Sequence, residues 1–140
     1  MVKYLDLKKI NDSFEPELSE AVARVVRSGW YLFGKEVETF EQRFAHYCGT
    51  GYCVGTGNGL DALTLIFMAY VSMGRMKVGD EVIVPANTYI ASILAVMRAG
   101  LKPVFCEPEW DTCNIDPGKV ENLISVRTKA VMVVHLYGRV

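Results

Sequence analysis

Short apolar runs without polar alternation recur along this chain, separated by segments with helical spacing. Glu81-Val82-Ile83-Val84 and Ala130-Val131-Met132-Val133-Val134 are too short for buried helices. Strands that are apolar on both sides are typical of a parallel sheet with helices on both faces. The order of these segments predicts strands at 51–55, 81–84, 103–106 and 129–134, and helices at 59–71, at 89–99 and from Pro117. The predicted fold is therefore α/β, with a parallel-rich sheet sandwiched by helices, and helices 59–71 and 89–99 should be covered all round.

The first 50 residues have a different pattern, in which apolar residues follow helical spacing. Residues 16–28 form one stripe, which predicts a surface helix with one buried face that begins at Pro16 and ends before Gly29. A second stripe ends at Gly49. We predict a helical N-terminal segment over residues 1–50 and part of an α/β domain over residues 51–140. The stripes consist of Leu18, Ala21, Val22, Val25 and Val26, and of Val37, Phe40, Phe44 and Tyr47.

Charge and composition exclude several classes of partner. The 140 residues carry 15 Lys plus Arg and 16 Asp plus Glu, with no basic stripe, so neither nucleic acid nor an anionic membrane is expected as a partner. The start has no signal-peptide pattern, and we expect a soluble, cytoplasmic protein. The four cysteines form no CxxC pair and the two histidines lie far apart, so we expect buried reduced thiols and no metal site.

Ligands of parallel sheets bind outside the carboxyl ends of the strands. The loop Gly55-Thr56-Gly57-Asn58-Gly59-Leu60-Asp61 joins a predicted strand to a predicted helix. Its free amides at Gly59 and Leu60, with Asp61 as a further candidate, could bind a phosphate at the positive end of the helix dipole. For a bare glycine pattern, a tight turn without a ligand is favoured over phosphate binding. Because Leu60 and Asp61 replace the Lys and hydroxyl residue of a P-loop, nucleoside triphosphate binding is disfavoured.

A dinucleotide-binding fold is a further alternative. It needs an acidic residue at the end of its second strand, whereas Asp80 and Glu81 lie at the start of that strand in this sequence. NAD binding is therefore disfavoured without being excluded.

Aromatic residues occur at other positions where a ligand could bind. Tyr89 opens a predicted helix after the second strand and could stack on a heteroaromatic ring, although core packing is an equal alternative. His135 and Tyr137 follow the last predicted strand, and Trp30 and Tyr31 form an aromatic turn. These four residues are candidates for lining a substrate cleft. For Trp30 and Tyr31 the alternatives are a subunit contact and a hydrophobic cap on the sheet, and for His135 taken alone a hydrogen-bonded structural role is favoured over a catalytic one.

Taken together, the segments resemble the DegT/DnrJ/EryC1/StrS family of sugar-nucleotide aminotransferases. That resemblance implies a fold type I enzyme that uses pyridoxal 5′-phosphate (PLP), of which this chain is an incomplete large domain. The resemblance extends along the whole chain. It is carried by the segments 4–7, 28–34, 37–41, 58–63, 79–92, 114–117 and 134–138.

The resemblance assigns roles to the loops. It implies that the turn from Asn58 through Gly59 and Leu60 to Asp61 binds the PLP phosphate and that Tyr89 stacks on the pyridine ring. Many relatives have Ser-Gly-Thr where this chain has Asn58-Gly59-Leu60, so backbone amides should carry more of the phosphate binding here. The residues of these motifs are most similar to those of members that act on nucleotide-linked keto sugars, particularly dTDP-3-keto-6-deoxyhexoses. The resemblance also implies an amino acid such as glutamate as amino donor. It further implies a homodimer.

Transamination needs a lysine that forms the Schiff base and an acidic partner for the pyridinium nitrogen. The resemblance places both beyond Val140, so we expect no catalytic residue in this chain and no activity from the chain alone. The alternative function is a non-catalytic remnant that acts as a binding or assembly module.

Overall fold

A computed structural model describes residues 3–140, which divide into two compact units. The first unit ends at Gly55 and contains three helices, α1 (Leu7–Asp12), α2 (Glu17–Ser28) and α3 (Lys35–Cys48). Both predicted helix ends are confirmed, because Gly29 and Gly49 adopt left-handed φ angles of 67° and 68°, which favour glycine.

The apolar face of α2 is not buried, contrary to the sequence prediction. Leu18, Val22 and Val26 are all exposed, and Val26 retains 60% of its accessible surface. On α3, the rings of Phe40 and Phe44 stack with centroids 5.5 Å apart, yet both are also exposed. The spacing correctly predicted the helices, but burial of an apolar face also requires a packing partner, and no described residue of this unit supplies one.

The predicted strand at 51–55 is also wrong. The segment has no assigned strand, and Tyr52 and Val54 retain 90% and 78% of their accessible surfaces. A strand needs a hydrogen-bonded neighbour, and among residues 3–140 none pairs with this segment.

The second unit, Thr56–Val140, contains a three-stranded parallel sheet. The order of its strands is β2-β1-β3, with β1 (Glu81–Pro85) in the centre. The register pairs Ile83 with Val104 of β2 and with Val131 of β3. The other elements are α4 (Gly59–Ser72), α5 (Ile90–Arg98), β2 (Lys102–Cys106), α6 (Pro117–Leu123), β3 (Thr128–Val131) and a 3₁₀ turn (Leu136–Gly138).

Helices cover both faces of β1, which confirms the sandwich predicted from the sequence. Val82 and Val84 pack with residues of α4 and α5, whereas Ile83 packs on the opposite face with Cys106 and with residues of α6. All five residues of β1 are buried, which explains why this strand has no polar alternation.

The outer surface of α4 differs from the prediction, which had the helix covered all round. Phe67 is its one buried residue, whereas Leu65, Ile66 and Met68 retain about half of their accessible surfaces. On α5, Ser92, Ala95 and Val96 are buried, but Ile90 and Met97 are exposed. Each of the two helices buries one side in the hydrophobic cluster next to β1, and no described residue covers its other side.

The sulfur chemistry matches the prediction only in part. All four cysteines are free, but only Cys106 is buried, and Cys48 is exposed. Burial raises the pKa of the Cys106 thiol. None of the helices in residues 3–140 combines the length and hydrophobicity that a bilayer crossing requires.

Candidate cofactor-binding site

The N-terminus of α4 presents two unused amide donors. Asn58, in extended conformation, caps the helix, and its side-chain Oδ1 accepts the Asp61 N–H at 3.0 Å. Among the hydrogen bonds of residues 3–140, the Gly59 and Leu60 N–H groups have no protein acceptor. A Cβ built on Gly59 would meet open space. The first turn of this 14-residue helix therefore leaves two donors and the positive end of its dipole accessible to an anion.

Asp61 does not contribute its amide, which corrects the expectation of a third donor. Its N–H is taken by Asn58, and its carboxylate accepts from Asn58 Nδ2 at 2.9 Å. Arg98 approaches the same carboxylate to 3.9 Å. These contacts partly offset the negative charge of Asp61, and phosphate binding would depend on Gly59 and Leu60.

Tyr89 lies immediately before α5, which packs against α4 through a shared hydrophobic cluster. Its backbone is extended, and its side chain retains 77% of its accessible surface. The core-packing alternative for this residue is therefore wrong in this structure. Thr88 and Ser92 hydroxyls share a hydrogen bond of 2.8 Å across the start of α5. The Thr88–Ser92 hydrogen bond thus stabilises the turn, and the ring of Tyr89 remains exposed.

The turn after β3 carries His135 and Tyr137. Both side chains are exposed, and Tyr137 has a left-handed backbone with φ 57°. Asn114, which lies between β2 and α6, donates to the Arg139 carbonyl at 3.0 Å and accepts from the Leu136 N–H at 3.1 Å. The two aromatic residues are therefore presented by a turn that a distant side chain holds.

Trp30 and Tyr31 belong to the first unit. Trp30 Nε1 donates to the Leu32 carbonyl at 2.6 Å, and Tyr31 Oη donates to the Val26 carbonyl at 3.4 Å. Both residues line a cavity of about 310 Å³ between α2 and the start of α3. Their rings remain more than 60% exposed, so this unit alone does not bury them.

A second cavity, of about 930 Å³, lies in the loop after β2. It is lined by Trp110, which is almost fully exposed, and by one lysine, Lys119. Its carboxylates disfavour a phosphate, so this cavity has the opposite electrostatic character to the N-terminus of α4. The acidic residues of its lining are Glu107, Glu109, Asp111 and Asp116.

Sequence reasoning assigned no role to Asn87 or Asn114. Asn87 Nδ2 donates to the Cys113 carbonyl at 2.8 Å, a contact that spans 26 residues. The available signal was their position, because each asparagine follows the carboxyl end of a predicted strand.

The acidic residues at the start of β1 have structural roles. Asp80 accepts the Lys77 N–H at 2.9 Å, and Glu81 accepts hydrogen bonds from Ser125 and Arg127. Neither carboxylate lies at the carboxyl end of the strand, where a ribose would bind in a dinucleotide fold. The NAD alternative therefore gains no support.

Comparisons with known proteins identify the family of the chain. The profile of the DegT/DnrJ/EryC1/StrS aminotransferase family matches residues 12–140. The chain belongs to this family. It is 56% identical over 139 residues to a dTDP-3-amino-3,6-dideoxy-alpha-D-galactopyranose transaminase of Aneurinibacillus thermoaerophilus, covering 99% of the chain and 37% of that protein. It is 49% identical over 137 residues to a dTDP-3-amino-3,4,6-trideoxy-alpha-D-glucose transaminase of Streptomyces venezuelae, covering 98% and 35%.

Solved structures place the fold in the same group. S. venezuelae DesV, solved in complex with a ketimine intermediate, matches with a TM-score of 0.86 and 47% identity, over 99% of the chain and 36% of DesV. An Escherichia coli GDP-4-keto-6-deoxy-D-mannose-3-dehydratase with bound hydrated PLP matches with a TM-score of 0.79 and 30% identity, over 86% of the chain and 31% of that protein. The predicted fold class, part of a fold type I α/β large domain, is confirmed. The chain spans slightly more than a third of the length of the first relatives it matches.

Proposed function

We propose that this chain contributes the phosphate-binding and ring-stacking part of a PLP-dependent aminotransferase. The proposed reaction transfers an amino group, from glutamate as donor, to a keto sugar linked to a nucleoside diphosphate, within deoxyamino-sugar biosynthesis. The observation that carries the proposal is the 56% identity to a dTDP-sugar transaminase across nearly the whole chain. The proposal includes a cytoplasmic homodimer as the working form.

The described residues fit a PLP group. The free Gly59 and Leu60 amides suit a phosphate, and the exposed ring of Tyr89 suits one face of a pyridine. When bound, PLP supplies an electron sink that lets the amino group move between donor and acceptor. The role of these residues is to fix the position of the cofactor and to exclude water from one face of the ring. In this proposal His135 and Tyr137 of the second unit contact the sugar nucleotide.

The phosphate site can be tested by removing one donor without disturbing the helix. Gly59→Pro eliminates the N–H at the first helical position, where proline is well tolerated, and the extended Asn58 suits a following proline. Gly59→Ala keeps the N–H and is the matched control. Since a hydrogen bond to a charged group contributes about 1.5–3 kcal/mol, we expect Gly59→Pro to weaken PLP binding at least tenfold relative to Gly59→Ala. Titration calorimetry measures the PLP affinity of the two variants, and equal affinities would show that the phosphate does not bind at this helix end.

The chain alone is expected to bind PLP without turnover. After incubation with PLP and glutamate, borohydride reduction and peptide mass spectrometry should find no single lysine selectively modified. Selective modification of one lysine together with 2-oxoglutarate formation would contradict this part of the proposal.

A PLP-dependent dehydration is a related alternative, because one structural neighbour is a dehydratase. That neighbour is 30% identical to the chain, whereas the two transaminases above are 49% and 56% identical. Amino transfer is therefore the reaction we propose. Assays of the protein that contains this chain, with a dTDP-linked keto sugar and ¹⁵N-labelled glutamate, distinguish the two by whether the sugar product gains the labelled nitrogen.

A further inference from the structure

We propose that Asn87 and Asn114 are positioning residues that join the three loops at the carboxyl ends of the sheet strands. We call these two side chains the amide clamp. The inference deepens the proposed function and rests on it, because the held loops carry Tyr89 after β1 and His135 and Tyr137 after β3.

The Asn114 carboxamide uses both of its ends on one short turn. Its Nδ2 donates to the Arg139 carbonyl at 3.0 Å, and its Oδ1 accepts the Leu136 N–H at 3.1 Å. The contacted residues, Arg139 and Leu136, lie 25 and 22 residues from Asn114 in sequence, on either side of Tyr137. Asn114 therefore fixes both the start and the end of the turn that presents Tyr137.

The Asn87 carboxamide forms the second half of the clamp. It donates to the carbonyl of Cys113, the residue immediately before Asn114, at 2.8 Å. Arg139 adds a third contact, because its guanidinium Nη1 donates to the Asp111 carbonyl at 2.8 Å. The loop after β2 thus contacts the loop after β1 on one side and the loop after β3 on the other.

The turn after β3 has few means of holding itself. Within it, the Gly138 N–H donates to the His135 carbonyl at 3.0 Å, and the Arg139 N–H donates to the Leu136 carbonyl at 3.2 Å. The Leu136 N–H is shared between the Val134 carbonyl and Asn114 Oδ1, each at 3.1 Å. Tyr137 is a bulky residue with a left-handed backbone, which is a strained conformation for such a side chain. Strained residues persist when the surrounding structure determines them, and the Asn114 contacts supply that constraint.

Asparagine is suited to this role because one planar group both donates and accepts. Aspartate of the same shape accepts but does not donate when ionised, and alanine does neither. The two contacts of Asn114 can therefore be removed together or one at a time.

The test is amide hydrogen exchange by NMR on the labelled 140-residue chain. Asn114→Ala leaves the Leu136 N–H with the Val134 carbonyl as its acceptor and should lower its protection severalfold, while the protection of Ile83 in β1 stays unchanged. Asn114→Asp should restore Leu136 protection but not the Arg139 carbonyl contact, which is read from the carbonyl carbon shift of Arg139. Asn122→Ala, at an exposed position on α6, is the matched control and should change neither signal.

Unchanged Leu136 protection in Asn114→Ala would overturn the inference. If Asn114→Ala also loses protection at Ile83, Asn114→Asp decides, because loss of Leu136 protection in that variant contradicts the clamp and retention supports it. Titration with inorganic phosphate, followed at the Gly59 amide, separates the two proposals. If the chemical shift of the Gly59 amide does not change when phosphate is added, the proposed function is contradicted but the clamp is not, since the Leu136 protection does not depend on phosphate.

Discussion

Glu81 is a buried carboxylate at the start of the central strand whose charge is stabilised by three neighbours. Ser125 Oγ donates to it at 2.7 Å, Arg127 at 2.8 Å, and Lys102 Nζ lies 3.5 Å away. The Ser125 hydrogen bond and the charges of Arg127 and Lys102 outweigh burial and lower the pKa of Glu81 below its ordinary value of 4.5. The unfolded chain therefore binds this proton more readily than the folded one.

Stability should consequently fall as the pH is lowered through the folded pKa of Glu81. The contribution is fully present above the unfolded value of 4.5 and is lost in more acidic solution. We expect Glu81→Gln to flatten the dependence of the free energy of unfolding on pH in this acidic range. Urea unfolding at a series of pH values measures this pH dependence. Glu121→Gln, at an exposed position on α6, is the control. A Glu81→Gln curve parallel to that of the unsubstituted chain would show that the carboxylate is not stabilised by folding.

At the scale of elements, the central strand depends on being covered by helices on both faces. Ile83 is fully buried, whereas its register partner Val131 on β3 retains 42% of its accessible surface. Removing buried methyl groups leaves a cavity, so Ile83→Ala should lower the free energy of unfolding by about 2–5 kcal/mol. Val131→Ala, in the neighbouring strand at the same level, should cost less than about 1 kcal/mol because its site is already open to solvent.

Chemical denaturation of the two alanine variants measures this contrast. Equal losses at the two positions would show that the two-sided packing of β1 does not stabilise the sheet unit. The same experiment tests whether β3 behaves as a loosely covered edge strand, since it pairs only with β1 among the described residues.

At the scale of the whole molecule, many large apolar side chains of the described residues are exposed, and clustered exposed apolar residues favour association. The outer side of α4 is one such surface, with Leu65, Ile66 and Met68 each about half exposed. We expect the 140-residue chain to self-associate as its concentration rises. Ile66→Lys should weaken that association, because a charge on this surface opposes its burial.

Sedimentation velocity over a range of concentrations measures the association. Asn122→Lys adds the same charge at an exposed position on α6, which packs on the opposite face of β1, and should leave the association unchanged. Equal behaviour of the two variants would mean that the outer side of α4 is not the surface that associates.

Local conformational preferences explain what could be predicted. Gly29 and Gly49 end helices because their backbones are left-handed, and the helical spacing of apolar residues correctly predicted α2 and α3. The apolar run at 81–84 predicted a strand covered on both faces, and Ile83 is buried there as expected. Near the candidate site, the sequence correctly predicted a glycine-containing turn before α4 and Tyr89 at the start of α5.

Contacts between distant residues account for what could not be predicted. The segment 51–55 has strand-like residues but no partner strand among the described residues, and the sequence pattern does not reveal whether one is present. The hydrogen bond from the Asp61 N–H to Asn58 is local, and it was missed because the glycine pattern was considered without the capping preference of asparagine.

The sequence by itself therefore determined the class of fold, the order and type of most elements and the family, because these follow from spacing, turn chemistry and motif wording along the chain. Only the tertiary structure decided which apolar faces are covered and that Asn114 holds the turn around Tyr137. Burial and hydrogen bonding at these positions depend on residues many positions away, and their geometry exists only after the chain has folded.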